Sequence, residues 1–157
     1  MTTFKTIQNT NNIKKTIKDT FDVDLSISGN WGHEEEQATV IEAIENGTPL
    51  SQLEHMLTTI RAHLEMNITQ EKDNRYGGIN ANELSREEIH KHSLIFDKVT
   101  YTITGIKENL YNAFIKEYKE GYETEKFDLS EHFKRRKNAT LTREVVHYFE
   151  VSQSKNT

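Results

Sequence analysis

Five short stretches hold the residue types from which a site could be built. His33-Glu34-Glu35-Glu36 sets an imidazole beside three carboxylates, which could act as a general base and a carboxylate pair, or stay solvated as an acidic docking surface. His90-x-His92, just after Glu87-Glu88, is the nearest approach to metal-ligand spacing, because two His on one face of a strand can share a cation. Arg75-Tyr76-Gly77-Gly78 joins a mobile backbone to two residue types common at interface hot spots. As a phosphate cradle it lacks the Lys-Ser/Thr that should follow. Trp31, the only Trp, stands between Asn30 and Gly32 in a turn, where the ring either faces a partner or folds back to cap the core. Lys134-Arg135-Arg136-Lys137 beside Phe133 suits phosphate contact, and equally suits the last turn of a helix, where cations complement the dipole.

Other chemistries find less support. The chain has no Cys, which removes disulfides, thiol catalysis and Cys-based zinc sites, and it contains no Gly-x-Ser-x-Gly elbow. No cofactor is expected. The net charge of −5 argues against tight sequence-independent nucleic-acid binding, which depends on cations neutralising phosphates. The charge is unevenly spread: residues 33–54 hold six Glu and neither Lys nor Arg, whereas residues 131–144 hold five basic residues against two Glu. Such polarity favours oriented docking on a charged protein. No run approaches the ~18 apolar residues of a membrane span, and the first residues lack the apolar stretch of a secretory signal, so a cytoplasmic protein is expected.

The elements that must position these groups follow from periodicity. Residues 1–10 read as frayed. Ile13, Ile17 and Phe21 recur every four residues behind Asn11 or Asn12, which predicts a short helix. Val23, Leu25 and Ile27 alternate with polar residues, and Gln37–Glu42 follows across the Gly29–Gly32 turn, so a hairpin is predicted. Thr48-Pro49 opens a helix bearing Leu50, Leu53, Leu57 and Ile60, with Gln52, Glu54, His55 and Thr59 left to solvent. Leu64, Met66 and Ile68 then alternate as a strand would, a polar loop spans 70–82, and Ser85-Arg86-Glu87-Glu88 reads as a capping box for a short helix ending near His92. Val99–Thr104 is dense in β-branched and aromatic residues and is read as a strand, although positions 92–110 also fit one long helix. Leu110, Phe114 and Tyr118 predict a helix from about 107 to 120, Asp128-x-x-Glu131 caps another, and Val145–Val151 suggests a last strand. The sum is one α+β domain over 11–152 with a disordered tail, about five mainly antiparallel strands and three or four helices on one face.

The Ile27-Ser28-Gly29-Asn30-Trp31-Gly32 stretch, with Glu36, Ala38, Val40 and Ile41 after it, resembles a loose group of small uncharacterised bacterial proteins of plasmids and prophages that carry a Ser-Gly-x-Trp-Gly box. The resemblance extends to Phe96–Tyr101, Thr104-Gly105-Ile106 and the helix beyond, about half the chain. Where that group has an aromatic after Trp-Gly, this chain has His33. What the resemblance implies is a setting, mobile genetic elements, in which small acidic proteins often inhibit or neutralise larger ones.

The leading expectation is therefore a non-enzymatic inhibitor, immunity or anti-defence factor. Glu34, Glu35, Glu36 and Glu42 would face a basic or nucleic-acid-binding cleft on a larger intracellular protein, with His33 and Arg75 beside the contact and Trp31 and Tyr76 as apolar anchors. A small metal-dependent hydrolase or nuclease using His33, His90, His92 and nearby Glu is the alternative, and a nucleic-acid accessory protein using Lys134–Lys137 the second.

Overall fold

The computed structural model describes residues 12–45, 47–121, 124 and 127–155. The frayed start expected at 1–10 and the end of the tail at 156–157 lie outside them. Helix α1 (Ile13–Phe21) begins where Asn12 accepts a hydrogen bond from the Lys15 amide, buries Ile13 and Ile17, and stops at Asp22 in the left-handed conformation. Strands β1 (Ile27–Gly29) and β2 (Thr39–Ile41) form the expected hairpin, with Ile27 opposite Ile41. Val23 and Leu25 pack against the core from the segment before β1 without joining the sheet.

Helix α2 (Leu50–His63) starts one residue later than Pro49, which takes the cap position with no side-chain cap bond. It then runs on through a π-helical turn at Leu64–Ile68, which corrects the strand expected there. Leu64, Glu65 and Met66 are buried in succession, which a strand with one covered face cannot do. A larger correction follows. The expected loop 70–82 and capping-box helix 85–92 are mostly one long strand, β3 (Tyr76–Lys91), paired antiparallel to β4 (Leu94–Lys107) along most of its length. Pairing with β4 overrides the local capping preference at Ser85–Glu88, and because every residue from Asn82 to Glu88 is exposed, no apolar alternation marks the strand. His92 and Ser93 have φ of 52° and 67°, the double left-handed geometry of a tight hairpin turn.

Helix α3 (Glu108–Gly121) leaves β4 directly, α4 (Leu129–Ala139) is capped by Asp128 on the Glu131 amide, and β5 (Leu141–Glu150) returns antiparallel to β4. A helical turn, α5 (Ser152–Lys155), stands where the tail was expected to be disordered. The five-stranded sheet has the order β1-β2-β5-β4-β3, antiparallel except between β2 and β5. It is a single α+β domain. Helices α1 and α2 cover the face that carries Val99, Tyr101, Ile103 and Phe149. The α3–α4 hairpin packs where β3 begins and β4 ends, with the Tyr111 ring against Gly77 and Gly78, where side chains on β3 would clash with it.

Candidate functional site

The acidic residues sit on the connection between β1 and β2, and backbone bonds hold that connection closed. The Asn30 amide donates to Ala38 O (3.1 Å), the Gly32 amide to Gln37 O (2.8 Å), and the Tyr148 amide of β5 to Gly32 O (2.8 Å). Gly32 is required twice over. Its φ is +79°, and a Cβ there would collide with the His147 ring. From this loop Glu34 and Glu36 point to solvent, while Glu35 is half-buried with its carboxylate 3.7 Å from the Lys91 ammonium. Lys91 brings in the tip of the β3–β4 hairpin. Glu35 and Glu36 from the loop, with Lys91, His92, Leu94 and Phe96 from the hairpin, line a shallow hollow of about 180 Å³. Leu94 is 38% exposed, an apolar side chain beside the carboxylates.

The other residues expected at the site fall elsewhere. Trp31 is 2% exposed and belongs to the core, so the ring is not available as an anchor. Its carbonyl is what matters here, accepting from Arg61 Nη1 at 3.1 Å. Tyr76 is likewise buried, with the Lys107 ammonium over its ring. Arg75 donates to Gln70 O, and it sits at the start of β3. A strand the length of β3 extends about 50 Å at ~3.3 Å per residue, so Arg75 and Tyr76 lie at the opposite end from Lys91 and the acidic loop. Glu42 is exposed beyond β2, where its amide donates to Ser26 O. His33 is no free base, because its Nε2 lies 2.9 Å from Glu65 Oε2. His90 is on β3, 3.1 Å from Glu88, and His92 is in the turn. The helix expected to carry both is absent, and among the described residues no three His, Asp or Glu gather as a metal site.

What sequence reasoning missed is a polar ladder on the buried face of α2. Glu54, Thr58, Arg61 and Glu65 follow at helical spacing and are all at most 2% exposed, which corrects the assignment of Glu54 to solvent. Each rung reaches a distant element. Glu54 meets Arg86 of β3 (3.1 Å) and stands against Asp97 of β4. Burial, with Asp97 beside it, pushes the Glu54 carboxyl up to about 8, although Arg86 opposes the shift. Arg86 is also clamped by Glu83. Thr58 lies 2.9 Å from His147 Nδ1, and Thr39 lies 2.9 Å from His147 Nε2. Because the Thr39 hydroxyl already donates to Asn30 O at 2.7 Å, it accepts from Nε2–H; Nδ1 of the neutral ring is then an acceptor, and the Thr58 hydroxyl proton is shared between it and Glu54 O (3.1 Å). Burial, with Arg61 nearby, holds His147 well below its usual range and therefore neutral, and its ring stacks on Phe149 at 4.0 Å.

Arg61 donates to Trp31 O and to Val146 O (3.0 Å), bridging the acidic loop and β5. Glu65 takes His33 and, at 3.5 Å, Arg143. Burial alone would raise the Glu65 carboxyl, but the His33 hydrogen bond and the Arg61 and Arg143 charges outweigh it and hold it below the ordinary range. The upper rungs therefore fix the β3 arm and the lower rungs fix the loop. The 4-3-4 spacing was the available signal, running beside the apolar stripe rather than outside it.

At the far end, the basic run does not form one patch. Consecutive residues on α4 point about 100° apart, and Arg135 is paired with Glu117 and Glu131. His132 is fully buried among Phe114, Tyr118, Phe127 and Phe133, with Nδ1 at 3.2 Å from Glu117. Among the described residues no helix is long and apolar enough to cross a membrane. No family model, curated protein or solved structure matches the chain.

Proposed function

We propose that this protein is a non-enzymatic docking protein whose contact face is the Glu34–Glu36 loop together with the tip of the β3–β4 hairpin, and whose partner is the basic cleft of a larger intracellular protein. The observation that carries this reading is the hollow shared by Glu35, Glu36, Lys91, His92, Leu94 and Phe96, where the exposed Glu36 and the half-buried Glu35 border an apolar floor. With Lys91 taken up by Glu35, the Glu34 and Glu36 carboxylates beside a small apolar centre steer encounter with a cationic surface and leave a contact to desolvate on arrival. The loop is held by Arg61 and Glu65 from the core, so little ordering entropy opposes binding. Leu94 takes the anchoring role that Trp31 and Tyr76 cannot fill. Occupying a basic cleft would displace nucleic acid or an acidic substrate, the action of an inhibitor, immunity or anti-defence factor, and the Ser-Gly-x-Trp-Gly resemblance adds mobile genetic elements as its setting.

The test is affinity purification from native lysate at low and moderate salt, using wild type, Glu34→Lys/Glu36→Lys and Leu94→Asp. The reading expects one basic protein partner, released by moderate salt and by either variant while the fold is retained. A partner whose binding ignores salt and all three substitutions would overturn it, as would recovery of nucleic acid without protein.

A further inference from the structure

Near the other end of the sheet lies a second hollow with the opposite character. It has a volume of about 200 Å³ and is lined by Gly78, Asn80, Thr104, Tyr111, Arg136 and Thr140, with Gly105 and Ile106 completing the floor. Among the described residues no Asp or Glu lines it. In a chain with 25 acidic residues, a polar cavity whose described lining includes Arg136 and no carboxylate is a local inversion of charge. We propose that this hollow binds a small phosphomonoester, with Arg136 as the group that holds the phosphate. The proposal is independent of the docking face.

Three observations on the page support it. Arg136 has no carboxylate partner among the described residues, whereas its neighbour Arg135 has Glu117 and Glu131, so Arg136 is not already spent on an internal ion pair. Its cation stands 5.7 Å from the Phe133 ring, a contact that leaves the fork of N–H donors open. Likewise the Thr104 hydroxyl and the Tyr111 phenol make no hydrogen bond among the described residues, and the Asn80 amide makes only a long one, 3.4 Å, to Gly78 O.

The cavity is also built rather than incidental. The register between β3 and β4 slips between Gly77 and Asn80, and Gly78 takes a φ of +58° at the slip. The Tyr111 ring lies against the strand at this bulge, and a Cβ at Gly78 would be 2.7 Å from the ring edge. The Thr140 hydroxyl donates to Arg136 O at 2.7 Å and closes the end of α4 beside the cavity. A phosphate suits these donors better than a carboxylate does. It offers three acceptor oxygens to one guanidinium and several neutral donors, and it carries up to two charges. The carbonyl end of α4 repels anions, so the guanidinium must supply the attraction.

Calorimetry and amide-shift titration with glycerol 3-phosphate, inorganic phosphate and acetate test the site. The expected result is saturable one-to-one binding of glycerol 3-phosphate, at least tenfold tighter than acetate. Arg136→Gln should weaken it at least tenfold, Arg136→Lys should weaken it less, and Lys134→Gln should leave it unchanged. Shifts should centre on Gly78, Asn80, Thr104 and Tyr111, and thermal melts of each variant show whether the fold is kept. Absence of saturable binding, equal binding by Arg136→Gln with the fold intact, or acetate binding as tightly as glycerol 3-phosphate overturns the proposal. If inorganic phosphate binds as well as the ester, the organic part of the ligand is not read and the ester assignment falls.

Discussion

Glu54 of α2 and Glu65 of the π-helical turn that continues it are both buried, about three helical turns apart, and their carboxyls are displaced in opposite directions. The difference lies in the company each keeps. Glu54 shares its pocket with another acid, Asp97, and Arg86 compensates only in part, so the proton is retained. Glu65 faces His33, Arg61 and Arg143, three groups that favour its charge.

The first prediction concerns alkaline sensitivity. In the folded chain Glu54 holds its proton up to about pH 8, whereas in the unfolded chain it releases it near 4.5. Folding therefore takes up a proton between these values, and the contribution of this group to stability falls as pH rises through that window. Glu54→Gln cannot ionise, and its amide can still face both Asp97 and Arg86. Melts of both proteins from pH 5 to 8.5 should show the variant gaining on wild type as pH rises. His63 and His147 act oppositely in both proteins and cancel in the difference. Parallel curves would refute the shared-proton account.

The second concerns acid. Glu65, held low, stabilises the fold above its unfolded value, and that contribution is lost as pH falls through the folded one. Glu65→Gln leaves Arg61 buried without its counter-charge, which should cost about 3–5 kcal/mol in urea unfolding. Hydrogen exchange at the Gly32 and Tyr148 amides should accelerate in the variant, because the His33 contact that helps to seat the loop weakens.

The third isolates His147. Thr58→Val keeps the shape of the side chain and removes the hydroxyl that faces Nδ1. A buried acceptor left without a donor costs about 1–3 kcal/mol, so urea unfolding should report a loss in that range. A neutral result would refute the reading that the Thr58 hydroxyl is what satisfies Nδ1.

The fourth concerns the backbone of the acidic loop. Gly32→Ala adds a methyl group where φ is +79° and the His147 ring is already in contact. The combined strain should lower stability by about 2 kcal/mol or more. Binding to the partner should weaken as well, since Glu34 and Glu36 are displaced with the loop. A variant that melts like wild type would show that the His147 ring yields to the methyl group.

Much of the scaffold was legible. The β-branched run at Val99–Thr104 identified β4, the spacing of Phe114 and Tyr118 identified α3, and Asp128 marked the start of α4. The β3 arm was not, because Asn82–Glu88 has neither face buried and its order comes from β4 alone. The loop residues Glu34–Glu36 were found from charge, but their neighbour across the hollow, Leu94, was invisible without the hairpin register. The α2 ladder was hidden for another reason. Glu54, Thr58, Arg61 and Glu65 look like surface types, and the groups that satisfy them, Arg86, His147, the Trp31 and Val146 carbonyls, Arg143 and His33, are remote in sequence.

The one parallel pairing in the sheet has a consequence for biosynthesis. Thr39 and Val40 of β2 lie against Phe149 and Glu150, and Gly32 O accepts from the Tyr148 amide, so the inner edge of the β1–β2 hairpin has no partner until residues 148–150 have left the ribosome. A nascent chain can close the β3–β4 hairpin early, since its partners adjoin, but the acidic loop is seated last. Chains released before residue 148 would carry every carboxylate of the docking face and still lack the strand that holds it in place.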